Sequence, residues 1–156
     1  MTLFKLIEDG LFLELNCTNK EEFFEELSKI LLDKKMVSDD FLKAIKKREE
    51  EFPTGLETSS MGVAVPHVDS KYVNCNALVL CKFNTPIIFK RMDAIEKDIK
   101  VKEAFVLLIN NDGKHMEALQ GLTKIWQNSA ILEGIYMANS KEEIISLILG
   151  GLKDAC

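Results

Sequence analysis

The 156-residue chain holds only two histidines, three prolines and one tryptophan. Histidine is the side chain that ordinarily titrates nearest neutral pH, so proton or group transfer through an imidazole has just two places to occur. No run reaches the roughly 18 uncharged apolar residues that a membrane-spanning helix requires. The opening MTLFKLIEDG carries two acidic groups and no long apolar core, unlike a secretion signal. The four cysteines, Cys17, Cys75, Cys81 and Cys156, form no CxxC and no zinc-type spacing. They read as reduced thiols of a soluble, cytoplasmic chain, with no direct membrane insertion. There is no basic excess either: 20 Lys and Arg stand against 25 Asp and Glu, a net charge of −5. That balance argues against nucleic acid as a partner, because neutralising phosphates takes a basic surface. No repeat, low-complexity tract or linker divides the sequence, so a single domain over residues 1–156 is expected.

The chain does contain alternating strand and helix signals. LFLEL (Leu11 to Leu15) reads as a first strand. Thr18-Asn19-Lys20-Glu21 matches a capping box, and Phe23, Leu27, Ile30 and Leu31 behind it recur at helical spacing to about Lys34. Ser38 is placed to cap a second helix with Phe41, Leu42 and Ile45 on its inner face. The charged run Lys46-Lys47-Arg48-Glu49-Glu50 follows on that helix, and Pro53 and Gly55 end it. Gly62 to Val65 and Ala77 to Phe83 read as strands, and Pro86 to Phe89 as a short edge strand, where proline is tolerated. AFVLLI (Ala104 to Ile109) is apolar throughout, as in a strand covered on both faces. Asn110 to Gly113 is a turn signal. Met116, Leu119, Leu122, Ile125 and Trp126 then form a helical stripe, and Ser140 to Leu152 reads as a last amphipathic helix. This alternation predicts an α/β fold: one mixed, mostly parallel sheet of about five strands with helices on both faces. Ligand chemistry in such sheets sits beyond strand ends.

The stretch MGVAVPHVD puts His67 just past such an end. Pro66 stiffens the backbone before it and lowers the entropic cost of aiming the ring. Nucleophile, base and metal ligand all remain open roles for a neutral imidazole on spacing alone. Arg48 belongs to a charge run that ordinarily would be a solvated helix face, yet its planar fork also suits phosphate oxygens. His115 starts a helix and reads equally as a water-facing residue or as a partner for charge near His67. Asp69 makes an HxD pair with His67, but a catalytic metal usually takes about three protein ligands. A metal hydrolase built on His67, Asp69 and His115 is therefore poorly supported. Nothing marks any cysteine as activated.

In order along the chain, REEEFPTGLETSSMGVAVPH resembles the signature of the fructose/mannitol-type enzyme IIA of the bacterial phosphoenolpyruvate-dependent sugar phosphotransferase system. That signature runs from a helix ending in Arg-Glu, through a Thr-Gly loop, to a Gly-x-Ala-x-Pro-His strand. KHMEALQGL is similar to the family's His-x-x-x-Leu-x-x-Leu helix. The EFPTGL variant and the acidic continuation after the histidine look most like the galactitol-type branch. The resemblance implies a phosphocarrier in which His67 carries the phosphoryl group, Arg48 and His115 stabilise it, and Thr54 plays a supporting part. The donor it implies is the phosphohistidine of HPr. The acceptor is a cysteine on a cognate enzyme IIB, which serves a membrane component, enzyme IIC, in uptake of a sugar or alditol. No metal or other cofactor is implied. An alternative is a regulatory enzyme IIA of the nitrogen-related kind, in which His67 phosphorylation switches contacts with a regulator or transporter.

Overall fold

The computed structural model describes residues 3–111 and 114–152. In chain order the elements are α1 (Leu3–Glu8), β1 (Leu11–Leu15), α2 (Lys20–Asp33), α3 (Phe41–Glu51), β2 (Gly55–Glu57), β3 (Gly62–Ala64), β4 (Ala77–Lys90), β5 (Asp98–Leu108), α4 (His115–Trp126), α5 (Ser129–Met137) and α6 (Lys141–Leu152). The strands make one five-stranded sheet in the order β1-β4-β5-β3-β2. β1–β4 and β3–β5 are parallel, while β4–β5 and β2–β3 are antiparallel. The mixed five-strand sheet was thus legible, although its pairings divide evenly instead of being mostly parallel. The long β4–β5 hairpin supplies the antiparallel centre.

Period-two alternation along the strands builds two cores, one on each sheet face. Val79, Cys81 and Phe83 of β4, with Val106 and Leu108 of β5, pack under α2 and α3 against Phe23, Phe24, Leu27, Phe41 and Ile45. Leu78 and Leu80, with Phe105 and Leu107, face α1, α4, α5 and α6 and meet Leu122, Trp126, Ile135 and Ile148. Phe23 sits edge-on to Phe83, their centroids 4.9 Å apart, and Phe105 is edge-on to Trp126 at 5.8 Å. Both are favoured geometries for buried rings. Strands covered on both faces explain the unbroken apolar runs of β4 and β5.

Several local expectations shift. The α2 cap is Asn19, whose side chain accepts the Glu22 N–H, while Glu22 takes the Thr18 N–H and hydroxyl. The capping box therefore lies one residue later than Thr18–Glu21. α3 starts at Phe41 after Asp40, and Ser38 contributes its carbonyl to the Phe41 N–H instead of a side-chain cap. Pro86 does not open an edge strand: Pro86 to Phe89 continue β4 beyond a register shift between Lys82 and Ile87. Pairing with β1 ends at Leu15↔Phe83, so a residue without an N–H forfeits no rung there. The short elements α1, β2 and α5 carry no signal long enough to read in advance. The 110–113 turn falls partly outside the described residues.

Candidate functional site

The site lies where β3 runs out beside β5. Val65 is buried in the α4-side core, and Val68 in the α3-side core. Between them the Pro66 carbonyl accepts the Leu107 N–H at 3.1 Å, extending parallel pairing to His67↔Leu107. The histidine is therefore held by an anchor on each side, as the stiff Val-Pro-His backbone suggested. Glycine is needed on the approach: a Cβ on Gly62 would lie 2.2 Å from the Lys100 carbonyl oxygen, and one on Gly55 2.5 Å from that of Lys90.

The half-buried His67 ring places Nδ1 2.8 Å from the Val65 carbonyl oxygen. A carbonyl oxygen can only accept, so Nδ1 carries the proton and the neutral ring's lone pair is on Nε2. Burial, above all, holds the imidazole below its ordinary titration range. The bond to Val65 opposes this, the charges of Arg48 and His115 reinforce it, and Asp69 pulls weakly back. At neutral pH the ring is consequently uncharged, with Nε2 available as a nucleophile.

Two of the expected residues, His115 and Arg48, lie near enough for their charges to act on it. The His115 ring, from the first turn of α4, lies 5.7 Å from the His67 ring, centroid to centroid, and its Nε2 is buried without a hydrogen-bond partner among the described residues. Arg48, in the last turn of α3, stacks 5.1 Å from the Phe52 ring centroid and reaches Asp69 at 3.8 Å. Its Nε is likewise buried with no partner among the described residues. Asp69 thus turns to Arg48. Among the described residues no group of three or more His, Cys, Asp or Glu side chains is arranged to hold a metal ion.

Thr54 lies behind the histidine instead of beside its ring. It is 4% exposed, its hydroxyl donates to Glu49 Oε1 at 2.8 Å, and the Thr54 hydroxyl oxygen accepts the Val65 N–H at 3.2 Å. Glu49 Oε2 accepts the Thr54 N–H at 2.7 Å. Sequence reasoning assigned Glu49 to a solvated charge run, yet the structure buries it to 2% exposure. The available signal was its spacing: Phe41, Ile45 and Glu49 recur every four residues along the inner face of α3. Burial pushes the Glu49 carboxyl up to about 7, while the two Thr54 bonds and the charges of Lys20 and Arg48 pull it down. No helix among the described residues is long and apolar enough to cross a membrane.

Known proteins resemble this chain in sequence and fold. Residues 5–150 match the family described as phosphoenolpyruvate-dependent sugar phosphotransferase system, EIIA 2. The mannitol-specific phosphotransferase enzyme IIA component of Staphylococcus aureus is 27% identical over 137 residues, covering 87% of this chain and 89% of that protein. The galactitol-specific EIIA component of Escherichia coli is 24% identical over 119 residues, 76% of this chain and 79% of its own length. A solved complex of enzyme IIAMtl with phosphorylated enzyme IIBMtl from Escherichia coli superposes with a TM-score of 0.68 at 22% identity, covering 90% of this chain and 94% of that one. With nearly its whole length inside the family match, the chain belongs to the EIIA 2 family of the phosphoenolpyruvate-dependent sugar phosphotransferase system, whose members are phosphotransferases.

Proposed function

We propose that His67 Nε2 accepts a phosphoryl group from the phosphohistidine of HPr and passes it to a cysteine of a cognate enzyme IIB, in the cytoplasm, for uptake of an alditol. One observation carries this reading. The His67 Nδ1 is tied to a carbonyl, its ring lies 5.7 Å from that of His115 and feels the charge of Arg48, and Arg48 Nε and His115 Nε2 are both buried with no partner among the described residues. Buried nitrogens without partners are costly, and phosphoryl oxygens are the acceptors that suit them.

The transfer balances simply. The P–N bond of the donor breaks as the Nε2 lone pair attacks phosphorus in line, and the electron pair returns to the donor imidazole. No proton need leave His67, because Nδ1 keeps the one it already shares with Val65. Phosphoryl transfer depends mainly on alignment and on stabilising the equatorial oxygens. Arg48, stacked on Phe52, supplies a positive fork, and His115 supplies a second nitrogen at the start of α4. No described side chain caps that helix, so its first N–H groups add a positive end. The low proton affinity of His67 also keeps its phosphoryl group transferable to a thiolate.

The alditol class is supported by the names of the relatives, one mannitol-specific and one galactitol-specific. The acidic Asp69 after the histidine favours the galactitol-like branch. The enzyme IIB partner is supported by the IIA–IIB complex on the same fold. Phosphoenolpyruvate, enzyme I and HPr, with radiolabelled phosphate, test the reading. The protein should become labelled and discharge its label to an enzyme IIB, and His67→Gln should take up none. Labelling of His67→Gln equal to wild type would overturn the assignment. Labelling without discharge to any alditol enzyme IIB would leave the regulatory alternative in its place.

A further inference from the structure

Glu49 and Thr54 do not touch the face of His67 that meets phosphate, yet they connect to it through hydrogen bonds of fixed direction. The Val65 N–H can only donate, so the Thr54 hydroxyl oxygen must accept it. That hydroxyl then directs its own hydrogen to Glu49 Oε1, and the Thr54 N–H claims Oε2. Both carboxylate oxygens must therefore accept, which an ionised carboxylate can do and a carboxamide cannot. Beyond the Gly55↔Ala64 pair, the next rung of the β2–β3 ladder is supplied by the Thr54 side chain instead of backbone. Val65 is held on its amide side by that rung, and its carbonyl receives the His67 Nδ1–H.

We propose that Glu49 and Thr54 are positioning residues for phosphoryl transfer: they fix Val65 and, through its carbonyl, hold His67 in the tautomer and orientation that leave Nε2 free. This rests on the reading of His67 as the phosphoryl acceptor. Arg48 and Glu49, adjacent on α3, then divide the work. Arg48 faces the incoming phosphate, and Glu49 reaches inward and holds the nucleophile from behind. A loosened Val65 would let the ring rotate or take its proton on Nε2, and a ring protonated there cannot attack phosphorus.

The experiment reads the ring directly. Long-range proton–nitrogen correlation spectra of ¹⁵N-labelled protein at pH 8 should show a protonated Nδ1 and an unprotonated Nε2 in wild type. In Thr54→Val and Glu49→Gln the two nitrogen shifts should move together, as the tautomers mix. Phosphoryl uptake from phospho-HPr should slow about ten- to hundred-fold at unchanged KM, the scale expected for a misplaced reacting group. Thr54→Ser keeps the hydroxyl and should restore both the tautomer and the rate. A folded Thr54→Val protein with the wild-type tautomer and wild-type rate would overturn the proposal, even if Glu49→Gln failed to fold. Failure of the phosphocarrier reading would look different: wild type would take no label, while the tautomer measurement would still report whether Thr54 and Glu49 hold the ring.

Discussion

Replacing Glu103 with glutamine should change how stability depends on pH, and the structure sets the size of the effect. Glu103 on β5 is 0% exposed, and neither carboxylate oxygen has a hydrogen-bond partner among the described residues. It lies in register with Lys82 of β4, which in turn is in register with Glu14 of β1. The Lys82 ammonium lies 3.9 Å from Glu14 and 5.0 Å from the Tyr136 ring centroid, so this cation is shared along the row. Burial pushes the Glu103 carboxyl up to about 8, and Lys82 pulls it only partly back. The unfolded chain would release that proton at about 4.3. Between those values the folded state binds the proton more tightly, so this contribution is full below the unfolded value and declines as pH rises toward 8. At 1.36 kcal/mol per pH unit, the loss between pH 5 and 8 is about 3 to 4 kcal/mol. Glu49, pushed up to about 7, acts with the same sign, so the wild-type curve alone cannot isolate Glu103. Urea unfolding of wild type and Glu103→Gln at several pH values between 5 and 8 can. An amide at this position adds an offset that does not vary with pH, whereas the stability gap should widen in favour of glutamine by about 3 to 4 kcal/mol across that range. Parallel curves for the two proteins would refute the reasoning.

Two further outcomes follow from the site's surroundings. Asp69→Asn removes the carboxylate that competes with phosphate for Arg48 at 3.8 Å, so the phosphorylated protein should hydrolyse and discharge a few-fold more slowly. A phosphohistidine lifetime equal to or shorter than wild type, followed by loss of radiolabel, would contradict that role. Gly62→Ala places a Cβ 2.2 Å from the Lys100 carbonyl oxygen and should force β3 from β5 at a cost of about 1–3 kcal/mol, the usual range for overpacking. It should lower the thermal unfolding midpoint by several degrees, and an unchanged midpoint would exclude the close approach.

Much of this protein could be read along the chain because its signals are local. The LFLEL strand, the helical stripes of α2 and α4, and the continuous apolar runs of β4 and β5 each declare their period within a dozen residues. His67 was legible for the same reason: a strand, a proline and a histidine in succession fix where that ring begins. Strand partners were not legible. Whether β4 meets β5 in antiparallel fashion depends on which long-range pairings bury both sheet faces, and no local pattern encodes it. Pro86 was misplaced for that reason, since its tolerance within β4 depends on where β1 stops.

The electrostatic parts of the site show the same division. By itself the sequence determined the stiff Val-Pro-His backbone, the α/β alternation and the presence of an arginine fork one helix upstream. Tertiary structure alone decided that Glu49 leaves the charge run for the interior, that Thr54 completes a strand rung, and that His115 comes to 5.7 Å from His67 across 48 positions of chain. The physical reason is desolvation. A carboxyl or imidazole acquires its working proton affinity from what surrounds it after folding, and those surroundings come from elements far apart in sequence.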